Sequence, residues 1–219
     1  MKFQIDLKIF IFAILFCLTK QIEIYSMMMI FAMIHELGHL LAGILMGMKP
    51  EKLQIKPYGF SISFKLNIED YNTKVNKGNL LAIKKIIVAL AGPLTNIIII
   101  IIALNLNINI FKVIMIIYIN LVLIIFNILP IYPLDGGRIL KGVLHIFFGK
   151  VKANKYIMKI SYYTLIILTI GTSIAILYVK NIALVIGLCV LWIIFLREYK
   201  KYKIKSKIYN LINEERELH

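Results

Sequence analysis

Residues 35–39 read His35-Glu36-Leu37-Gly38-His39, inside a long apolar stretch. On a helix, residues four apart lie about 40° from one another around the axis, so both imidazoles share a face. Two imidazoles so placed can both reach one Zn²⁺ at about 2.0–2.1 Å. Glu36, next to the first of them, is of the right type to take a proton from an attacking water. The chain holds four histidines, and chance would produce a His-Glu-x-x-His run in well under about one in a hundred such chains. The competing explanation is that these polar side chains pack between helices. Ionisable groups inside a membrane span are costly unless paired or hydrated, and a bound cation answers that cost for all of them together.

A catalytic zinc ordinarily has three protein ligands and one open position. The third is sought in Asn127-Ile128-Leu129-Pro130-Ile131-Tyr132-Pro133-Leu134-Asp135-Gly136-Gly137-Arg138. Pro130 and Pro133 end a helix, and Gly136 and Gly137 let the backbone turn. Broken backbone at membrane depth is tolerated only where protein or water covers it, which suits a segment that aims Asp135 at a metal. The alternative is that Asp135 caps a following helix, worth about 1 kcal/mol. His145 reads as a packing residue and His219 as terminal. Ala91-Gly92-Pro93-Leu94-Thr95-Asn96 places a proline, predicted to kink its helix, and an amide in another apolar run. Support of the site and close helix packing through small residues both account for it.

The elements that carry these residues are membrane spans. The chain has 219 residues and is 60% hydrophobic, against roughly 45–50% for soluble domains. Its mean hydropathy is +0.84. Six spans of about the length needed to cross a bilayer are predicted at 4–20, 24–47, 86–106, 111–129, 156–179 and 181–197. The expected fold class is therefore an all-α polytopic membrane protein. Residues 1–197 form its transmembrane domain and 198–219 a short cytoplasmic tail. With both termini in the cytoplasm, all but Lys20, Lys112 and Lys180 of the 26 basic residues fall on the inner side, as the positive-inside rule requires. The formal charge of +15 thus belongs to loops at a membrane, and nucleic acid is not an expected partner. Residues 9–18 resemble a signal-peptide core, but Asp6 precedes them and no small-residue cleavage site follows, so the first span is expected to be retained. Cys17 and Cys189 sit alone in apolar runs and are read as packing residues.

Residues 53–66 differ from the spans. Phe60, Ile62, Phe64 and Leu66 alternate with Ser61, Ser63 and Lys65, the period of a strand. Pro57-Tyr58-Gly59 is a turn signal. A small β-hairpin at the cytoplasmic face is expected, able to take an extended substrate as a further strand.

Three motifs in order, HELGH, AGPLTN and NILPIYPLDGG, resemble the site-2 protease family of intramembrane zinc metalloproteases (peptidase family M50) over roughly residues 25–145. Six spans and a compact size resemble its sporulation type, the stage IV sporulation protein FB, most closely. The resemblance implies one zinc held by His35, His39 and Asp135, with Glu36 as catalytic base. It implies that Asn127 and Pro133 line the substrate site and that the strand bearing Phe60 and Phe64 helps present substrate. It implies a bacterial cell membrane, a pro-sigma factor as protein substrate during sporulation, membrane lipids as surroundings and inhibitory membrane proteins as partners. An anti-sigma factor or remnant signal peptides are the alternative substrates. One departure is that no nucleotide-binding CBS domain is expected after the last span. Outside the family, a membrane metal transporter would tolerate Glu36→Gln, and a catalytically silent scaffold would not need all four positions.

Overall fold

The computed structural model describes residues 2–5, 17, 22–56, 59–65, 75–106, 109–179 and 182–217. They form two compact units, Met1–Ile128 and Leu129–His219.

The first unit contains β1 (Lys2–Ile5), α1 (Ile22–Leu45), β2 (Lys49–Lys56), β3 (Gly59–Lys65), α2 (Val75–Asn105) and α3 (Ile110–Ile128). Helix α1 carries the His-Glu-x-x-His run and stops abruptly. Gly47 adopts a left-handed φ of 75°, which costs glycine nothing. The Gly47 N–H then bonds the Ile44 carbonyl and the Met48 N–H the Gly43 carbonyl, both at 2.9 Å. This is a Schellman cap, and it turns the chain straight into β2. Strands β2 and β3 are antiparallel, with Leu53 opposite Ile62 and Ile55 opposite Phe60, and a register shift falls between Pro50 and Lys52. The expected hairpin is present. It is wider than predicted, because β2 begins at Lys49 and β1 pairs parallel with it, Phe3 beside Leu53. The sheet order is β1-β2-β3, which leaves β3 at an edge.

Helix α2 packs against both α1 and α3. It starts at Val75, ahead of the predicted span at 86, and Lys77, Lys84 and Lys85 in that first part are good helix formers. The helix continues through Pro93. Asn109 caps α3, its Oδ1 accepting from the Phe111 N–H at 3.0 Å.

The second unit is a turn at 129–134 followed by α4 (Asp135–Val179) and α5 (Ile182–Glu217). The stretch between the predicted spans 111–129 and 156–179, expected as a cytoplasmic connection, is helical from Asp135 on except at Gly149. Non-helical backbone occurs within α4 at Gly149, φ 76° and ψ 165°, where only glycine is unstrained. Ile131, Ile157, Met158, Leu165, Leu191 and Phe195 form this unit's buried core. The Trp192 indole N–H donates to Thr169 Oγ1 at 3.1 Å, tying α5 to α4.

Among the described residues four helices are long and apolar enough to cross a membrane: Ile22–Leu45, Asn79–Asn105, Ile110–Ile128 and Asp135–Tyr178. They contain most of the predicted spans 24–47, 86–106, 111–129 and 156–179. Apart from Gln4, Ile5 and Cys17, the predicted span 4–20 lies outside the described residues. Gln4 and Ile5 belong to β1 rather than to a span. The predicted span 181–197 falls in α5, which continues unbroken to Glu217. Large apolar side chains such as Leu41, Ile98, Ile101 and Ile114 point outward. In lipid this exposure has no penalty, since acyl chains are as apolar as leucine. The chain has the make-up of an integral membrane protein.

Candidate metal centre

Helix α1 presents His35 and His39 on one face, as four-residue spacing requires. Both are buried, as is Glu36 between them in sequence. The two Nε2 atoms are 3.2 Å apart, with the rings nearly perpendicular at 87°. Two nitrogens bound tetrahedrally to zinc at about 2.0–2.1 Å would stand about 3.3–3.4 Å apart. The imidazole pair therefore already has the separation that one zinc needs.

Helix α2 sets this pair. His39 Nδ1 lies 2.7 Å from the Val88 carbonyl oxygen. A carbonyl can only accept, so Nδ1 carries the hydrogen and Nε2 offers its lone pair. Buried metal-ligating histidines are oriented by such a partner on the other nitrogen. Gly92 lies one turn further along α2. A Cβ there would overlap the Nε2 atoms of both histidines, so the absence of a side chain at Gly92 is what makes the cradle. Gly38 has a matching role on α1, where a Cβ would collide with Thr95 Oγ1. Thr95 itself donates to the Ala91 carbonyl at 2.8 Å. Of the motif Ala91–Asn96, then, Gly92 borders the imidazoles directly and Thr95 packs on the helix that bears them.

The sheet is fastened to the same helix. The Phe64 ring lies where a Cβ of Gly43 would be, and Gly43 is one turn from His39. Phe64, predicted to bind substrate, thus packs on α1. Phe60 is paired with Ile55 in β3, and its side chain lies outside the described residues. Asn127, near the end of α3, donates Nδ2 to the Leu123 carbonyl at 3.0 Å.

In the second unit, Asp135 opens α4 and is buried. Its Oδ1 faces Arg138 Nη1 at 3.7 Å, with the guanidinium partly exposed. The turn before it is anchored by Ser161, a fully buried residue of α4. Ser161 Oγ donates to the Ile157 carbonyl at 2.7 Å and accepts from the Tyr132 N–H at 2.9 Å. A Cβ on Gly137 would strike the Ile131–Tyr132 backbone, so the Gly there permits the tight return. Pro133 sits half-buried in this turn.

His35, His39 and Asp135 are all buried, and each offers one ligand atom. Two imidazoles and a carboxylate are the donor set of a catalytic zinc, and the Gly92 cradle leaves room beside the imidazole nitrogens. Sequence reasoning missed Val88, Gly43 and Ser161. Val88 acts through its backbone, which leaves no mark in residue type. Gly92 lay within a motif already singled out.

The model of peptidase family M50 matches residues 105–170. A zinc metalloprotease of Methanocaldococcus jannaschii is 30% identical over 139 residues, which cover 60% of this chain. The match spans 37% of the length of that relative. The solved structure of a site-2 protease from the same organism superposes with a TM-score of 0.65 at 22% identity, covering 90% of this chain and 91% of that one. That likeness establishes the fold.

Proposed function

We propose that this chain is an intramembrane zinc metalloprotease that hydrolyses a peptide bond of a membrane-associated protein. The observation that carries the reading is the pair of buried Nε2 atoms 3.2 Å apart, one of them held in the ligating tautomer by Val88. Asp135 is the third ligand in this reading, chosen for its ligand type and its burial.

When bound, zinc supplies acidity to water and polarises the scissile carbonyl. Glu36 is the general base: its carboxylate accepts the proton of the attacking water and returns it to the leaving amine. Burial of Glu36 keeps that carboxylate out of bulk solvent, in surroundings of lower dielectric where electrostatic effects are stronger. Asn127 holds the substrate backbone with its amide oxygen, its Nδ2 being engaged by Leu123. Pro133 is assigned to the substrate by the motif resemblance alone. A helical substrate hides its carbonyls in its own hydrogen bonds, so it must be extended before attack. Strand β3, at the sheet edge and fastened to α1 through Phe64, is suited to accept it as a further strand.

A pro-sigma factor processed during sporulation is the first substrate to test, on the strength of the motif resemblance. Inhibitory membrane proteins are the regulators to seek with it. The test is co-expression with a candidate pro-sigma factor in a non-sporulating bacterium, with Glu36→Gln in parallel and zinc measured in both purified proteins. Cleavage by the wild type alone, with zinc in both, is the expected result. Equal cleavage by both would assign the reaction to a host protease and remove the role of Glu36. Purified wild type without zinc would overturn the metalloprotease reading.

A further inference from the structure

Asn96 is a buried polar residue that the protease reading does not use. Its side chain is 0% exposed, and neither Nδ2 nor Oδ1 has a hydrogen-bond partner among the described residues. Other helix asparagines place at least the donor side of the amide locally, although the Asn120 Oδ1 is likewise without a partner among the described residues. Asn105 donates Nδ2 to Ile101, Asn120 to Ile116 and Asn127 to Leu123, each to the carbonyl four residues back, at 2.8–3.0 Å. The equivalent acceptor for Asn96 is the Gly92 carbonyl, and its side chain does not take it. An amide carries two donors and two acceptor lone pairs. Native interiors leave very few such groups unmet, answering them with protein or with ordered water, and hydrocarbon cannot answer them at all.

Position gives the amide a purpose. Asn96 follows Gly92 by four residues, so the two share a face of α2. Gly92 is the residue against the Nε2 atoms of His35 and His39. Pro93, about 100° round the helix from Gly92, lacks an N–H, so the Ala89 carbonyl lacks its usual intrahelical donor four residues on. Polar backbone and side-chain atoms thus recur at 89 and 96 along a face that passes the imidazoles. A fully enclosed amide cannot admit a peptide, whereas water is small enough and suits both a donor and an acceptor.

We propose that Asn96 is a water-binding site: its amide holds a water molecule within the helix core, one turn from the imidazole pair. That water belongs to the supply a hydrolase consumes. Its use, though not the site itself, rests on the metalloprotease reading.

The full-length protein in detergent is exposed to a brief X-ray pulse in ¹⁸O-labelled water, which makes hydroxyl radicals from bound water and marks adjacent side chains. Wild type, Asn96→Leu and Asn96→Ser are compared, with zinc content and thermal unfolding as controls. The expected result is ¹⁸O label on side chains of segment 89–99 in the wild type, lost in Asn96→Leu and retained in Asn96→Ser. No label in that segment of the wild type overturns the proposal. So does undiminished label in Asn96→Leu. If Asn96→Leu does not fold, wild type and Asn96→Ser decide: label in both supports the site, and its absence from the wild type removes it. The readout is water rather than cleavage, so this proposal and the protease reading fail separately.

Discussion

The Val88 carbonyl on α2 accepts a hydrogen bond from His39 Nδ1 on α1 at 2.7 Å. The bond joins the two helices that pack most intimately around the imidazoles, and it decides which ring nitrogen is available. Because the acceptor is backbone, no substitution at Val88 deletes it directly. What matters is the register of α2 against α1, which Gly38 and Gly92 allow to be close.

Gly92→Ala is therefore expected to displace both imidazoles and to lower zinc affinity by about 10–100-fold, the range seen when the shell around metal ligands is disturbed. Zinc retained after dialysis against a graded chelator measures it. Gly171→Ala is the control, since a Cβ there meets nothing within 4 Å. Equal zinc loss in both variants would mean that the cradle is not what Gly92 provides.

Removing zinc should destabilise the protein, because ligands that bind only the folded state stabilise it by mass action. The unfolding temperature in detergent is expected to fall on chelation and recover on adding Zn²⁺. His39→Ala should start at the lower temperature and not respond to chelator. A chelator-insensitive wild type would argue against a metal at this pair.

Phe64→Pro should slow substrate cleavage while leaving zinc content unchanged. Proline at an edge strand removes a ladder donor, and the ring that rests on Gly43 is lost with it. Unchanged cleavage kinetics at equal protein levels would exclude β3 from substrate presentation.

Ser161→Ala leaves the Tyr132 N–H without the hydroxyl that accepts it at 2.9 Å. An orphaned buried donor costs about 1–3 kcal/mol, so a lower unfolding temperature is expected. A variant as stable as the wild type would show that the turn before Asp135 is held by its prolines and packing alone.

Much was legible in the residues themselves. His35 and His39 face the same way because four-residue spacing on any helix makes them do so. The turn from Leu129 to Leu134 was announced by Pro130 and Pro133, and the β2–β3 hairpin by the alternation from Phe60 to Lys65. These are local consequences of backbone sterics and period, carried by the sequence wherever the segment sits. Strand β1 was not legible, since its pairing with β2 joins residues about fifty apart in the chain. Nor was the helix from Arg138 onward, where lysines that signal a loop at a membrane are also good helix formers.

What the sequence determined by itself was the identity and helical phase of the imidazoles, the apolar spans around them and the donor types that suit zinc. Tertiary structure decided which nitrogen of His39 bears the hydrogen, why Gly92 must be bare, and that Asn96 is enclosed without a hydrogen-bond partner among the described residues. Each of these depends on one helix approaching another to within hydrogen-bond or van der Waals distance, and such proximity is set by three-dimensional packing, which leaves no periodicity in the chain to read.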